Sequence, residues 1–312
     1  MRNIQRFGYK IPLISKPVQF KIPPNPSATG DAYNVLVEEA QGLLNKGAIK
    51  EVKDVVGQYI SSYFAVPKPR SIKWRPIINL KRFNELVKHF KFKMECFKQV
   101  REWIQPNHYL IGIDLKNQFL SVSINKRYRK FLRFNWLGKL YEWSSLPFGL
   151  KCSPRVVTKL LKPVIALLRS EFNISISIYM DDMLIQADTA EKAYLHAQIT
   201  ILLLLSLGWE VNWEESTLVP TQSITHLGFE ICTKTMTATC PEKKVQILKE
   251  AALLALKDGL LTVHSAEKRM GLMDSVRPVT QLAALNYRAI QKQLLNTRFP
   301  HRNPDQIIYL SN

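Results

Sequence analysis

The stretch "SISIYMDDMLIQA", from Ser175 to Ala187, places the tightest constraint on this chain. Ile174, Ile176 and Ile178 alternate with Ser175 and Ser177, the period expected of a strand with one buried face. "MLIQA" reads as a second short strand, so "YMDD" falls at the tip of a tight hairpin. Two adjacent carboxylates, Asp181 and Asp182, thereby sit between apolar segments, where an ionised group needs a partner. A third carboxylate, Asp114, is expected to end another apolar strand, "HYLIGIDL". If these strands lie side by side, three carboxylates crowd together and cannot all stay ionised without a cation. Mg²⁺ suits such a site, because it takes hard oxygen ligands and binds through one or two carboxylates plus substrate phosphates. Two such ions about 3.5–4 Å apart would clamp the attacking and leaving oxygens of a phosphoryl transfer. Aspartate is also common in turns for its own sake, so the hairpin alone leaves a plain turn open.

The rest of the composition weighs toward a charged partner. The 312 residues carry a formal net charge of +19, from 44 Lys+Arg against 25 Asp+Glu. Residues 68–101 hold eleven Lys/Arg against two Glu (11 − 2 = +9), and residues 126–139 add six more with no acid. Trp74, Phe83, Phe90, Phe92, Phe97, Tyr128, Phe131, Phe134 and Trp136 are interleaved with these bases. Basic side chains meet phosphates and aromatic faces stack on bases, so the cluster favours nucleic acid over an anionic membrane. A solvated basic face over an aromatic core is the alternative for any single residue. The four cysteines (Cys96, Cys152, Cys232, Cys240) have no C-x-x-C spacing and read as buried free thiols of a reducing compartment. The N-terminus lacks the apolar segment of a signal peptide, and the longest apolar run, "ITILLLLSLGW", is too short to span a bilayer. These features predict a soluble, intracellular protein that is not secreted.

Along the chain, the Pro- and Lys-rich residues 1–30 read as a leader or extended arm. Asp31 is expected to cap a helix over "AYNVLVEEAQGLLNK" that Gly47 ends. "AIKEV", "SSYFAVPK" and "WRPIINL" read as strands, and "KFLRFNW" with "LYEWSS" as a hairpin turning at Gly138. "CSPRVVTKLLKPVIALLRSEF" has a helical pattern that Pro163 is expected to kink or interrupt. A helix ending at Gly208 follows the "YMDD" hairpin. "ITHLGFEI" and "MTATC" read as strands, and only helices are expected after Pro241. The change of character near residue 240 predicts a boundary between a region 31–240 and a helical region 241–312.

Five segments now stand in order: "VPKPRSIKWRPIINLKRFN", "LIGIDLKNQF", "LPFGLKCSPRVVTKLL", "YMDD" and "SITHLGFEI". In this combination the chain resembles a retroelement reverse transcriptase, most nearly those of retrotransposons of the DIRS and gypsy types. The resemblance implies an α+β right-hand polymerase: fingers, a palm with an antiparallel sheet, and a helical thumb. It also implies two Mg²⁺ ions, with Mn²⁺ able to replace them, held by Asp114, the Leu115 carbonyl, Asp181 and Asp182. Lys68 and Arg75 are similar to residues that hold the incoming triphosphate. Asn117 and Gln118 correspond to the backbone that reaches it, and Phe119 to a steric gate under the sugar. Phe148, Gly149 and Met180 would line the nucleotide pocket. Leu227, Gly228 and Phe229 are similar to a primer grip. The implied partners are an RNA or DNA template with its primer and deoxynucleoside triphosphates.

Three departures stand out. Asn117 and Gln118 replace an aspartate and an alanine that often follow "DLK" in the family. Glu215, in "NWEES", replaces a lysine regarded as a proton donor to pyrophosphate. No acidic constellation after residue 240 fits an RNase H domain. The chain is therefore expected to be an RNA-directed DNA polymerase domain. The alternative is a decayed copy, catalytically silent, that only binds nucleic acid.

Overall fold

The computed structural model of the protein describes residues 2–68, 71–258, 260–280, 285, 287–296 and 303–309. A short helix α1 (Arg2–Phe7) and the long α2 (Gly30–Asn45) precede β1 (Ile49–Val52), β2 (Ile60–Ser61), β3 (Tyr63–Pro67) and β4 (Trp74–Ile78). Helices α3 (Lys81–Glu85) and α4 (Phe97–Trp103) lead to β5 (Tyr109–Lys116), α5 (Lys126–Arg129), β6 (Arg133–Trp136) and β7 (Lys139–Trp143). Then come α6 (Ser153–Ser170), β8 (Ser175–Tyr179), β9 (Asp182–Ala187), α7 (Ala190–Ser206), β10 (Glu210–Val211) and β11 (Thr217–Thr221). The chain continues through β12 (Ser223–His226), β13 (Phe229–Cys232), β14 (Thr237–Thr239), α8 (Glu242–Asp258), β15 (Leu260–Thr262), α9 (Val263–Asp274), α10 (Arg288–Asn296) and β16 (Ile307–Tyr309). No described helix is long and apolar enough to cross a membrane.

Two compact units emerge. The first comprises Met1–Met94, Ile113–Met183 and Gln198–Ser216, the second Glu95–Gly112, Leu184–Ala197 and Thr217–Asn312. The change of character near residue 240 falls inside the second unit. In the first, β1, β7, β6 and β2 form one sheet, with β2 parallel to β6, and β3 pairs with β4. Its core is aromatic: Tyr63 lies 4.7 Å from Phe134, which lies 5.4 Å from Tyr141, ring centre to ring centre. Phe83, Phe131 and Trp136 are buried too, so these rings serve packing, not base stacking. Leu36, Ala40 and Leu43 of α2 are buried in this unit. In the second unit Phe97, Val100, Ile104, Leu110, Leu184, Ile224, Phe229 and Ile231 pack together.

The sheet that carries the aspartates has the order β10-β5-β9-β8, with β11 also on β5. Both β5 and β9 run from one unit into the other. Ile111, Ile113, Leu115, Met183, Leu184 and Ile185 of these strands are all buried. A near-continuous apolar run of this kind is what a strand covered on both faces requires.

Several expectations need correction. Thr29, extended at φ −136°, is the N-cap of α2, and Asp31 falls in its first turn, where a carboxylate favours the positive end of the helix. Strand β5 does not end on Asp114 but runs two residues further, to Lys116. Pro163 does not interrupt α6, within which it lies exposed. Ser177 is buried and Ile178 half-buried, so β8 has no single apolar face. "ITHLGFEI" is two strands, β12 and β13, turning at Leu227 and Gly228 with φ of +50° and +76°. The region after Pro241 is not purely helical, because β15 pairs with β16. Part of its last expected helix, residues 281–284 and 286, lies outside the described residues. All four cysteines are free, but only Cys152 is buried.

The N-terminal arm is fastened by side chains that imitate a strand. Gln19 donates from Nε2 to the Ile60 carbonyl at 2.8 Å and accepts the Ile60 N–H at 2.7 Å. Asn25 likewise donates to the Asn135 carbonyl at 2.6 Å and accepts the Tyr63 N–H at 2.8 Å. The amides satisfy backbone groups at the ends of short strands that no further strand covers. Replacing Gln19 by alanine is expected to leave both Ile60 groups unpaired at a residue that is 2% exposed. The loss should be about 1–3 kcal/mol, read as a lower urea midpoint at unchanged slope and faster proteolysis within residues 16–26. An unchanged midpoint would mean that water replaces the amide at no cost.

Candidate active site

The aspartates occupy the end of the five-stranded sheet within the first unit. Asp114 lies two residues before the end of β5, and Met180–Asp181 forms the two-residue link between β8 and β9. Met180 sits at φ +61°, in the left-handed region that costs a side chain about 1–2 kcal/mol. That strained turn presents Asp181 and Asp182 at the sheet end. The Leu115 N–H donates to the Asp181 carbonyl at 3.0 Å, which ties the hairpin tip to the strand bearing Asp114.

Asp114 is held from its other side by the loop after β10. Asn212 donates from Nδ2 to Asp114 Oδ1 at 3.1 Å, and its N–H donates to the Asp114 carbonyl at 2.8 Å. The Asp114 N–H donates to Ser216 Oγ at 3.0 Å, and that hydroxyl donates to the Asn212 carbonyl at 2.7 Å. Neither Asn212 nor Ser216 was assigned a role from the sequence, although both lie in or beside "NWEES". No periodicity marks a loop residue, so only its place one residue after a short strand could have indicated it.

Burial and mutual repulsion govern the electrostatics of Asp114 and Asp181. Burial pushes the Asp114 carboxyl up to about 6; the Asn212 hydrogen bond opposes this, and Asp181, Glu215 and Asp182 add to it. Burial also raises Asp181, against a backbone hydrogen bond and the Gln118 side-chain amide, with Asp182 and Glu215 adding repulsion. Glu215 is exposed, yet it acts on both aspartates. Four carboxylates thus share one sheet end in a strongly basic chain. Among the described residues, no set of three or more His, Cys, Asp or Glu side chains is arranged to hold a metal ion by itself. The donors are all hard oxygens, and Mg²⁺ ordinarily completes its shell with waters and substrate phosphates. The residues fit an ion of that kind sharing ligands with a substrate.

The turn after β5 carries the other expected residues. Asn117 sits at φ +54° and its carbonyl accepts the Leu120 N–H at 2.7 Å. Gln118 is 3% exposed, and Phe119 is 7% exposed. The Phe119 ring meets Phe148 edge-on at 5.3 Å between centroids. Gly149, at φ +83°, follows Phe148, and its carbonyl accepts from Asn84 Nδ2 at 2.8 Å. Asn84 Oδ1 accepts the Lys151 N–H at 2.8 Å, so this asparagine, also missed in the sequence, pins the "LPFG" loop. Lys68 and Arg75 are exposed on the β3–β4 hairpin, where Arg75 pairs with Val66. No hydrogen bond or ion pair joins either to the carboxylates among the described residues. Leu227, Gly228 and Phe229 belong to the second unit. There Phe229 is buried, 4.1 Å from the Phe97 ring, with Lys244 Nζ 4.7 Å from its centroid.

Comparison with known proteins bears on this geometry. The model of the family described as reverse transcriptase (RNA-dependent DNA polymerase) matches residues 66–231. The Pro-Pol polyprotein of simian foamy virus type 3 (strain LK3) is 26% identical over 269 residues, 85% of this chain and 22% of the polyprotein. The Pol polyprotein of equine infectious anemia virus (strain Wyoming) is 25% identical over 251 residues, 73% of this chain and 21% of the polyprotein. The chain spans about a fifth of the length of these relatives. A solved foamy viral protease-reverse transcriptase dRH in complex with double-stranded DNA superposes with a TM-score of 0.74 at 20% identity, over 98% of this chain and 50% of that one. A foamy viral protease-reverse transcriptase in complex with an RNA/DNA hybrid gives 0.72 at 19% identity, over 93% of this chain and 37% of that one. The fold is accordingly the α+β right hand of such polymerases.

The raised Asp114 carboxyl has a thermodynamic consequence. A carboxyl whose pKa is higher folded than unfolded binds more protons folded, so it lowers stability as pH rises from about 4 through 6. Asp114→Asn keeps an oxygen for the Asn212 bond but removes the charge. The variant should melt higher than the wild type at pH 7.5 in chelator-containing buffer, and the difference should vanish near pH 4. A variant melting lower at every pH would show that the carboxylate is compensated in the folded state.

Proposed function

We propose that this chain, which belongs to the reverse transcriptase (RNA-dependent DNA polymerase) family by a match over more than half its length, extends a primer 3′-hydroxyl with deoxynucleotides on an RNA or DNA template. The observation that carries this reading is the convergence of Asp114, Asp181 and Asp182 from two adjacent strands in a half-buried site within the matched segment. The solved relatives bound to double-stranded DNA and to an RNA/DNA hybrid support nucleic acid as the partner. So does the net charge of +19. A silent, binding-only copy is not favoured, since both carboxylate-bearing strands and the hydrogen bonds that orient them are intact. We assign residues 31–240 to fingers and palm and 241–312 to a thumb-like region.

In this reading Asp114, the Leu115 carbonyl, Asp181 and Asp182 hold Mg²⁺ or Mn²⁺. When bound, such ions lower the pKa of the primer hydroxyl and offset charge on the transferring phosphoryl group. The protein's own groups position the reaction. Asn212 and Ser216 fix Asp114 in rotation and height, and the Leu115 N–H fixes the hairpin tip against β5. Lys68 and Arg75 receive the triphosphate from the fingers side, where cations meet the charge that leaves with pyrophosphate. The backbone of Asn117 and Gln118 and the surfaces of Phe148, Gly149 and Met180 line the nucleotide. Phe119, locked edge-on against Phe148, stands where a ribose 2′-hydroxyl would fall. Leu227 and Gly228 offer the turn of a primer grip, with Phe229 as its buried root.

Two outcomes follow. Primer extension on poly(rA)/oligo(dT) with Mg²⁺ should proceed with the wild type and fall by several orders of magnitude with Asp181→Asn, while affinity for the hybrid stays within about twofold. Binding by the wild type without any extension would sink the polymerase reading. Phe119→Val should open the floor of the sugar site and raise the ratio of ribonucleotide to deoxynucleotide incorporation. An unchanged ratio would remove Phe119 from that position.

A further inference from the structure

Lys46 closes α2: its N–H donates to the Gly42 carbonyl at 3.1 Å, and Gly47 follows at φ +65°. The backbone is therefore fixed, and its side chain reaches across to the turn after β5. There Nζ donates to Asn117 Oδ1 at 3.4 Å, and Asn117 Nδ2 donates to Glu210 Oε2 at 3.5 Å. Asn117 begins the turn that bears Gln118 and Phe119, three residues beyond Asp114. This edge of the site is acidic. Glu210 lies on β10, and Glu215 is close enough to raise both Asp114 and Asp181. Among the described contacts Lys46 is the cation that meets the turn, and its partner is a neutral amide oxygen held at long distance. Such a bond is weak and readily exchanged for a charged oxygen.

We propose that Lys46 is a catalytic cation for the leaving group, taking the β- and γ-phosphates of the incoming nucleotide and neutralising pyrophosphate as it departs. This rests on the polymerase reading above and adds a residue outside the segment the family model matches. In the step concerned, the primer 3′-oxygen bonds to the α-phosphorus and its proton passes to solvent. The bond from that phosphorus to the bridging oxygen breaks, and the electron pair leaves with pyrophosphate. The ammonium of Lys46 stays protonated and donates to the oxygens on which this charge collects. It thereby supplies, from α2, the positive charge that Glu215 cannot supply from the loop after β10. Asn117 holds the ammonium over the turn until the triphosphate arrives.

Single-turnover nucleotide addition across a dNTP series, with added inorganic pyrophosphate as inhibitor, tests the assignment. Lys46→Ala should lower the maximal rate by about ten- to a hundredfold, the worth of one charge-assisted hydrogen bond, and weaken pyrophosphate inhibition in proportion. Affinity for the RNA–DNA hybrid should not change. Lys46→Arg should retain most of the rate. Lys46→Gln, which can still donate to Asn117 but carries no charge, should behave like alanine. Glu215→Lys in the Lys46→Ala background should restore the rate, since it returns a cation to the same edge. A glutamine variant as fast as wild type would reduce Lys46 to a tether for Asn117 and overturn the proposal. Failure of Glu215→Lys to rescue, with the double variant folded by its melting curve, would count equally against it. The wild type separates the two readings. If it does not extend, the polymerase reading falls and Lys46's role with it; if it extends and Lys46→Ala matches it, only the Lys46 assignment falls.

Discussion

Repulsion among carboxylates at the end of one sheet is the constraint on which the rest of the site depends. Asp114, Asp181, Asp182 and Glu215 would each be better solvated apart. The chain forces them together because β5 and β9 are buried neighbours in one sheet, tied at this end by the Leu115 N–H to the Asp181 carbonyl. The energy that crowds the acids is thus drawn from burial of Ile111, Ile113, Leu115, Met183, Leu184 and Ile185. The site is stable in spite of its function, as sites that await a cation or a charged substrate commonly are.

Order in the cluster comes from hydrogen bonds that span long stretches of sequence. Asn212 and Ser216 reach Asp114 from about a hundred residues away, and the Leu115 N–H reaches Asp181 from across the β5–β9 junction. Asn212 and the Leu115 N–H donate to carboxylate or carbonyl oxygens, Ser216 accepts the Asp114 N–H, and none of these partners is charged. Positioning by neutral partners leaves the negative potential intact, whereas a salt bridge would cancel it. That distinction separates this cluster from the Arg133–Glu142 pair on β6 and β7, where the charges neutralise each other and serve only the fold.

What could be read from the sequence divides along the same line. The "YMDD" hairpin, the strand bearing Asp114 and the glycine-marked C-terminal ends of α2 and α7 are legible, because period and glycine punctuation are local signals. The Leu137–Gly138 hairpin was read correctly, yet Leu227–Gly228, with nearly the same pair of positive φ values, was missed. The difference lies in the flanks. Polar Asn135 and Lys139 lie close on either side of the Leu137–Gly138 turn, whereas "ITHLGFEI" has apolar Leu227 and Phe229 directly beside its glycine. Asn212, Ser216, Asn84 and the amides of Gln19 and Asn25 were not legible at all. Each acts on a backbone group distant in sequence, and nothing in their neighbourhood marks the partner. The β15–β16 pair was missed because two three-residue strands carry too little period to register.

Gln118 shows how the departures from the family pattern enter the same physics. An alanine would leave Asp181 to be oriented by backbone alone. The glutamine amide instead lies beside the Asp181 carboxylate and opposes the burial that raises its pKa. Its Oε1 is buried and has no hydrogen-bond partner among the described residues, which costs about 1–3 kcal/mol. Phe119 follows it on the same turn and is braced edge-on against Phe148. Order at the carboxylates and order at the Phe119–Phe148 pair thus meet at a single buried amide, on a turn whose first residue, Asn117, also meets Lys46.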